Sequence, residues 1–124
     1  MTNRSDMNGP LWIMIAGPYT SGASTEDDRA SNLRELNRVG YEIFRRGHIP
    51  IIGVNLALPL IEFAGHDNFD KLMMPISLAA ADRCDAAIRI GGHSVGADQE
   101  IERIRSRGGY IFDSLDDIPR LPSA

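Results

Sequence analysis

Ala86-Ala87-Ile88-Arg89-Ile90-Gly91-Gly92-His93-Ser94-Val95-Gly96-Ala97-Asp98-Gln99-Glu100 contains the change of period that decides the fold. Its first five residues form a short apolar run, the pattern of a buried strand, and a helical stretch is expected from Asp98 to about Arg107. Between the two, glycines let the chain turn sharply and bring its backbone close to a ligand. A helix that opens after such a turn directs free N–H groups at the space in front of it, which suits a phosphate, and Glu100 adds a carboxylate there. Gly91, Gly92 and Gly96 serve equally well as a plain strand-to-helix turn, with Asp98 and Glu100 complementing the helix dipole.

Outward from this unit the same alternation repeats. Leu11-Trp12-Ile13-Met14-Ile15-Ala16 is a continuous apolar strand, broken by Gly17-Pro18-Tyr19-Thr20-Ser21-Gly22. Ser24 or Thr25 can cap a helix whose first turn carries Glu26, Asp27 and Asp28. Leu33, Leu36, Gly40, Ile43 and Phe44 recur at helical spacing and are expected to face a sheet, with Gly47 ending the helix. Ile49-Pro50-Ile51-Ile52 reads as a second strand that runs into a loop holding Asn55, Leu56, Leu58, Pro59, Leu60 and Ile61, whose order fixes no structure. A further helix is expected between Asn68 and Arg83, with Pro75 either kinking it or sitting in its first turn. Tyr110-Ile111-Phe112 is the last strand.

Strands alternating with helices predict a doubly wound α/β domain, flavodoxin- or Rossmann-like, with a parallel sheet of four to five strands and helices on both faces. Residues 1–10 read as a loose leader and 11–124 as one domain without repeats or linkers. Ligands of such folds bind beyond the carboxyl ends of the strands, where the strand order reverses. If the first and third strands are neighbours, the Gly17–Gly22 and Gly91–Glu100 loops face one crevice.

Composition narrows the partners. With 124 residues, 43% hydrophobic and 24% charged, the chain is large enough for one core. A net charge of −4 argues against a nucleic-acid polymer but leaves room for a small phosphate pocket. Cys84, the single cysteine, reads as a small core residue, so neither a disulfide framework nor a thiolate metal cluster is expected. No apolar run approaches the ~20 residues of a membrane span, so no membrane partner is expected and a cytoplasmic location follows by default. His66, Asp67 and Asp70 are close in sequence but lack a metal-site spacing, and no metal or cofactor is expected. Neither glycine loop matches G-x-x-x-x-G-K-[ST] or G-x-G-x-x-G, which speaks against a Walker-type ATPase and a dinucleotide dehydrogenase.

Ser94-x-Gly96-x-x-x-Glu100, after a strand opened by Asp85-Ala86, and Ile15-Ala16-Gly17-Pro18-Tyr19 at the end of the first strand resemble the nucleoside 2-deoxyribosyltransferase superfamily. Its 2'-deoxynucleoside 5'-phosphate N-hydrolases share the S-x-G-x-x-x-E spacing, and from about Leu11 to Pro119 the chain is similar to a small bacterial and phage branch of it. The resemblance implies that Glu100 attacks the anomeric carbon, giving a glycosyl-enzyme that water or another base resolves, the retaining two-carboxylate scheme. The helix N-terminus is expected to keep Glu100 ionised. Ser94 and Gly96, with Gly92 and His93 beside them, would cradle a 5'-phosphate, Gly17, Pro18 and Thr20 would line the facing loop, and Tyr19 would orient the nucleophile or sugar. Relatives carry the leaving-group acid where this chain has Ser77. Asp82, with the helix shifted by a turn, and Asp85 are the nearby substitutes, and both also suit cap or strand-edge roles. His48 reads as a turn residue with a local hydrogen bond. His93 reads as a phosphate contact, a proton donor or an exposed loop residue. Asn55 reads as a reader of a base edge or a turn residue.

The expectation is therefore an N-glycosidase or deoxyribosyltransferase acting on a nucleoside or nucleoside 5'-monophosphate, with nucleotide hydrolysis ahead of base exchange because of Ser94 and Gly96. The alternatives are a nucleotide or nucleotide-sugar binding module that has lost its acid, and a phosphoribohydrolase-like enzyme acting on ribonucleotides. The resemblance also implies a homodimer or higher homo-oligomer, for which the 56–64 and 73–81 stretches can supply apolar surface or, alternatively, core.

Overall fold

A computed structural model describes residues 9–122; most of the expected leader, residues 1–8, lies outside them. Strands β1 (Trp12–Ala16), β2 (Ile49–Ile51), β3 (Ala86–Arg89) and β4 (Tyr110–Phe112) form one sheet in the order β2-β1-β3-β4, and every pair is parallel. Helices α1 (Glu26–Arg45), α2 (Gly53–Ala64), α3 (Phe69–Ala81) and α4 (Val95–Ser106) connect them. The domain is the doubly wound α/β fold read from the alternation, with four strands.

The period of two along β1 divides the core. Ile13 and Ile15 point to one face, where they meet Leu36, Val39 and Ile43 of α1 together with Ile88 and Phe112. Met14 and Ala16 point to the other, against Ala81 of α3 and Ala97, Ile101 and Ile104 of α4. A smaller cluster, Ala57, Ile61 and Met73, joins α2 to α3 beyond the end of the sheet. Because β1 and β3 are central neighbours with crossovers leaving in opposite directions, the strand order reverses between them.

Thr25 caps α1 through a full capping box: its hydroxyl accepts from the Asp28 amide, and the Asp28 carboxylate accepts from the Thr25 amide. Phe44, expected on the inner face of α1, is instead 60% exposed, and Val39 takes the inward position. The stretch from residue 53, read as a loop, is helix α2. It has no side-chain cap and carries Pro59, and its apolar residues surround it, so its sequence lacks both the boundary and the face that reveal a helix. Tertiary packing of Ala57 and Ile61 against α3 holds it instead. Leu56, Leu60 and Phe63 point outward from the same helix, so its apolar residues divide between core and surface. Pro75 lies in the second turn of α3, not the first, on the exposed side.

His48 is fully buried and does more than close a turn. Its Nδ1 accepts from the Leu11 amide at 3.0 Å and its Nε2 lies 2.7 Å from the Pro119 carbonyl, a geometry that puts the proton on Nε2. It thereby ties the entry to β1 to the C-terminal segment, whose Leu121 amide donates to the Arg46 carbonyl. Cys84 packs half-buried against the α4 side of the sheet, and burial pushes its thiol up to about 12, leaving it inert as a nucleophile. Among the described residues no helix is long and apolar enough to cross a membrane.

Candidate active site

The loops that follow β1 and β3 meet at the point of strand reversal and line one cavity of about 400 Å³, a size typical of small-molecule sites. Gly17, Tyr19, Thr20 and Ser21 come from the first loop, and Ser94, Gly96 and Glu100 from the second loop and α4. The loops touch directly. A side chain at Gly91, whose φ is +74°, would stand 2.7 Å from Pro18 Cδ, and one at Gly17 would stand 2.8 Å from Ile90 Cγ1.

Helix α4 begins at Val95, three residues before the expected start, because Ser94 is its N-cap: the Ser94 hydroxyl accepts from the Ala97 amide at 3.1 Å. The amides of Val95 and Gly96 at the first two positions have no acceptor within the helix. Gly96 also makes room for Met74, whose Sδ would lie 3.2 Å from a Cβ at that position. Arg89, at the end of β3, braces the intervening turn. Its Nε donates to Asp98 at 3.0 Å, and its terminal nitrogens donate to the carbonyls of Ile90 and Gly92.

The earlier start moves Glu100 into the second turn of α4, on the inward stripe it shares with Ala97, Ile101 and Ile104. Only 7% of Glu100 is exposed, and no ion pair within 4.0 Å joins its carboxylate among the described residues. Burial raises its pKa to about 7, opposed by the Ser77 hydroxyl and the Arg89 charge. This reverses the expectation that the helix N-terminus keeps Glu100 low. The dipole acts mainly on the first turn, and loss of water outweighs it at this position.

Helices α2 and α3 supply the rest of the site. Ser77 is buried on α3, and at Gly53, the first residue of α2, a Cβ would stand 2.2 Å from Ser77 Oγ and 3.0 Å from Glu100 Oε2. Only glycine fits at position 53 against the hydroxyl and the carboxylate. Val54, Phe69, Met73 and Met74 form the apolar wall, and the Tyr19 and Phe69 rings stack at 6.4 Å with 13° between their planes. Asp70 lines the cavity as well.

The remaining sequence candidates lie elsewhere. Asp82 follows α3 and pairs with Arg103 at 3.0 Å and Arg107 at 3.7 Å. Asp85 precedes β3, and its carboxylate accepts from the Trp12 amide at 2.8 Å. Both stand at the amino ends of the strands, engaged by arginines and an amide, and neither lines the cavity. Asn55 is exposed and donates to Asn37 Oδ1 at 2.6 Å in a groove between α1 and α2, outside the cavity. Pro18 and Gly92 shape the loops without lining the cavity, and His93 is exposed at the turn. Ser77, the position at which the resemblance puts an acid, does line the cavity, whereas Gly53, Asp70 and the two methionines went unread as site residues, since only the docking of α2 and α3 gathers them.

No protein-family model matches the chain, and no curated protein matches it.

Proposed function

We propose that this cavity cleaves or transfers the N-glycosidic bond of a nucleoside or nucleoside 5'-monophosphate, with Glu100 as the nucleophile. The observation that carries this reading is the placement of Glu100, a buried carboxylate without an ion-pair partner among the described residues that opens onto a cavity beside the helix N-terminus of α4, whose first two amides have no acceptor within the helix. Keeping such a group desolvated costs stability, which a purely structural glutamate gives no reason to bear. In a low-dielectric site an ionised carboxylate stabilises an adjacent oxocarbenium ion more strongly than water does. The amides of Val95 and Gly96 suit a phosphate, which favours a nucleotide over a nucleoside and hydrolysis over base exchange. The stacked Tyr19 and Phe69 and the two methionines suit a planar base.

Glu100→Ala is expected to abolish release of free base from deoxynucleoside monophosphates while the far-ultraviolet circular dichroism stays unchanged; retained turnover in that variant overturns the nucleophile assignment. In the unliganded protein the nucleophile must lose its proton. The wild-type kcat/KM is therefore expected to rise about tenfold per pH unit below pH 7 and to level off above it.

The second reading, a nucleotide-binding module without turnover, is favoured by Ser77, which is no acid, and by the engagement of Asp82 and Asp85 elsewhere. Calorimetric titration with nucleotides alongside the base-release assay separates the two, since tight binding without release selects the module. Comparing ribose with 2'-deoxyribose substrates tests the phosphoribohydrolase-like alternative.

A further inference from the structure

A broken N-glycosidic bond leaves its electron pair on the base. A neutral base must gain a proton to depart readily, whereas a base whose glycosidic ring is already cationic accepts the pair and departs neutral. Which of the two this cavity takes is legible in its lining.

The described residues that line the cavity include two carboxyl groups, Glu100 and Asp70, and no lysine, arginine or histidine. Glu100 is 7% exposed and has no ion-pair partner within 4.0 Å among the described residues. Arg89, whose charge acts on it from the end of β3, commits its guanidinium to Asp98 and to the carbonyls of Ile90 and Gly92. A buried carboxylate destabilises the fold until a cation meets it, and the cavity leaves that role open. Tyr19 and Phe69 offer ring faces of the kind that attract a cation, and Met73 and Met74 offer polarisable sulfur. Asp70 adds its carboxyl group at the exposed rim. Ser77, beside Glu100, is no acid, and Asp82 and Asp85 are engaged at the other ends of the strands. The lining attracts positive charge more than it supplies protons.

Resting on the N-glycosidase reading, we propose that the base this cavity takes is a cationic heterocycle, a pyridinium or an N7-alkylated purine, attached to a sugar or sugar phosphate. Its ring charge completes the ion pair that Glu100 lacks. A Glu100 carboxylate oxygen bonds to the anomeric carbon as the carbon–nitrogen bond breaks. The bond's electron pair passes to the ring nitrogen and cancels the ring charge, so the base leaves neutral with no proton transferred. Water then adds its oxygen to the anomeric carbon, Glu100 departs as a carboxylate, and a proton passes to solvent. The sum is cationic nucleotide plus water giving neutral base, sugar phosphate and a proton.

The first test is binding. N1-methylnicotinamide and the neutral nicotinamide methylated on a ring carbon have the same heavy atoms, but only the former carries a ring charge, and neither has a glycosidic bond to break. Both are titrated into the wild type by nuclear magnetic resonance at pH 8, above the pKa of about 7 at which Glu100 ionises. The cation is expected to bind about tenfold more tightly or better. Equal affinities, tighter binding of the neutral compound or binding of neither overturns the proposal. Glu100→Gln keeps the shape of the carboxyl group without its charge and is expected to bring the two affinities within about threefold of each other. A preference undiminished in that variant overturns the proposal as well, because the charge is then read elsewhere.

The second test is base release from nicotinamide mononucleotide, N7-methylguanosine 5'-monophosphate and guanosine 5'-monophosphate, with spontaneous loss subtracted. On at least one of the two cationic nucleotides kcat/KM is expected to exceed that on guanosine 5'-monophosphate by about 100-fold or more, and the faster of the two identifies the source of the base. Guanosine 5'-monophosphate turned over as fast as both overturns the proposal and leaves the N-glycosidase reading standing. No release from any nucleotide, these three or the deoxynucleoside monophosphates above, overturns that reading, while the methylnicotinamide pair still decides which base the cavity binds.

Discussion

At the amino ends of the strands, Asp85 accepts the Trp12 amide and Asp82 sits between Arg103 and Arg107. At the carboxyl ends, Glu100 is buried without an ion-pair partner among the described residues, and its pKa is raised to about 7. One sheet thus neutralises Asp82 with two arginines at one end, while at the other Asp98 pairs with Arg89 and the buried Glu100 has the Ser77 hydroxyl but no ion pair among the described residues. The difference lies in how loops and helix termini are used. At the amino end they supply arginines and an amide that neutralise charge. At the carboxyl end the glycine turns and the α4 N-terminus keep space open for something the protein does not itself provide. Carboxylates available for chemistry are those the fold declines to pair.

The largest effect expected from this contrast is on stability. Glu100 has a folded pKa of about 7 against an ordinary value of 4.5. Below pH 4.5 both folded and unfolded chains hold the proton and the group costs nothing. Between 4.5 and 7 the unfolded chain releases a proton that the folded chain keeps, so stability falls as pH rises, and above 7 the full cost persists. Glu100→Gln mimics the protonated form. It is expected to stabilise the protein by about 3 kcal/mol at pH 8 and to converge with wild type near pH 4, in paired urea unfolding curves. A variant no more stable than wild type at pH 8 would mean that Glu100 is as well satisfied as Asp82, and the contrast between the two ends would collapse.

A somewhat smaller cost is expected from Gly53→Ala. The added methyl group must displace Ser77 or Glu100, since it would stand 2.2 Å from the Ser77 hydroxyl, and overpacking of this kind costs about 1–3 kcal/mol. The variant should also lose base release, because the displaced group is the nucleophile or its neighbour. A Gly53→Ala protein with wild-type stability and turnover would show that the closed end of the cavity is loose rather than fitted.

The smallest effect belongs to the paired end. Asp82→Asn removes ion pairs to Arg103 and Arg107, whose side chains are 40% and 56% exposed, so it is expected to cost no more than about 1 kcal/mol and to leave base release unchanged. A fall in turnover of tenfold or more would return Asp82 to the chemistry and blur the division between the ends.

Strands β1 and β3 were legible because strands buried on both faces read as unbroken apolar runs, and α1 because it has a capping box and a one-sided face. Tyr19, Ser94, Gly96 and Glu100 were legible as site residues because they lie on loops at the carboxyl ends of adjacent strands, which sequence order and parallel topology bring together. Helix α2 was illegible: it lacks a cap, carries Pro59 and has no polar face. With α2 unread, nothing in the sequence could place Gly53 against Ser77 and Glu100, although the three lie 53, 77 and 100 residues along the chain. Asp82 and Asp85 were attractive because they lie near Ser77 in sequence. They lie at and just beyond the C-cap of α3, where Arg103, Arg107 and the Trp12 amide engage them, so nearness in sequence did not bring them into the cavity.

By itself, then, the sequence determined the doubly wound class, the strong strands and the two glycine loops that follow them, because periodicity, glycine and capping residues act locally on the backbone, whereas the order that sets β1 beside β3 came from the tertiary structure. Only the tertiary structure decided the protonation of Glu100, which depends on the water excluded by α2 and α3. It alone also decided which carboxylates are paired and which face the cavity, since a charge is satisfied or exposed by neighbours distant in the chain.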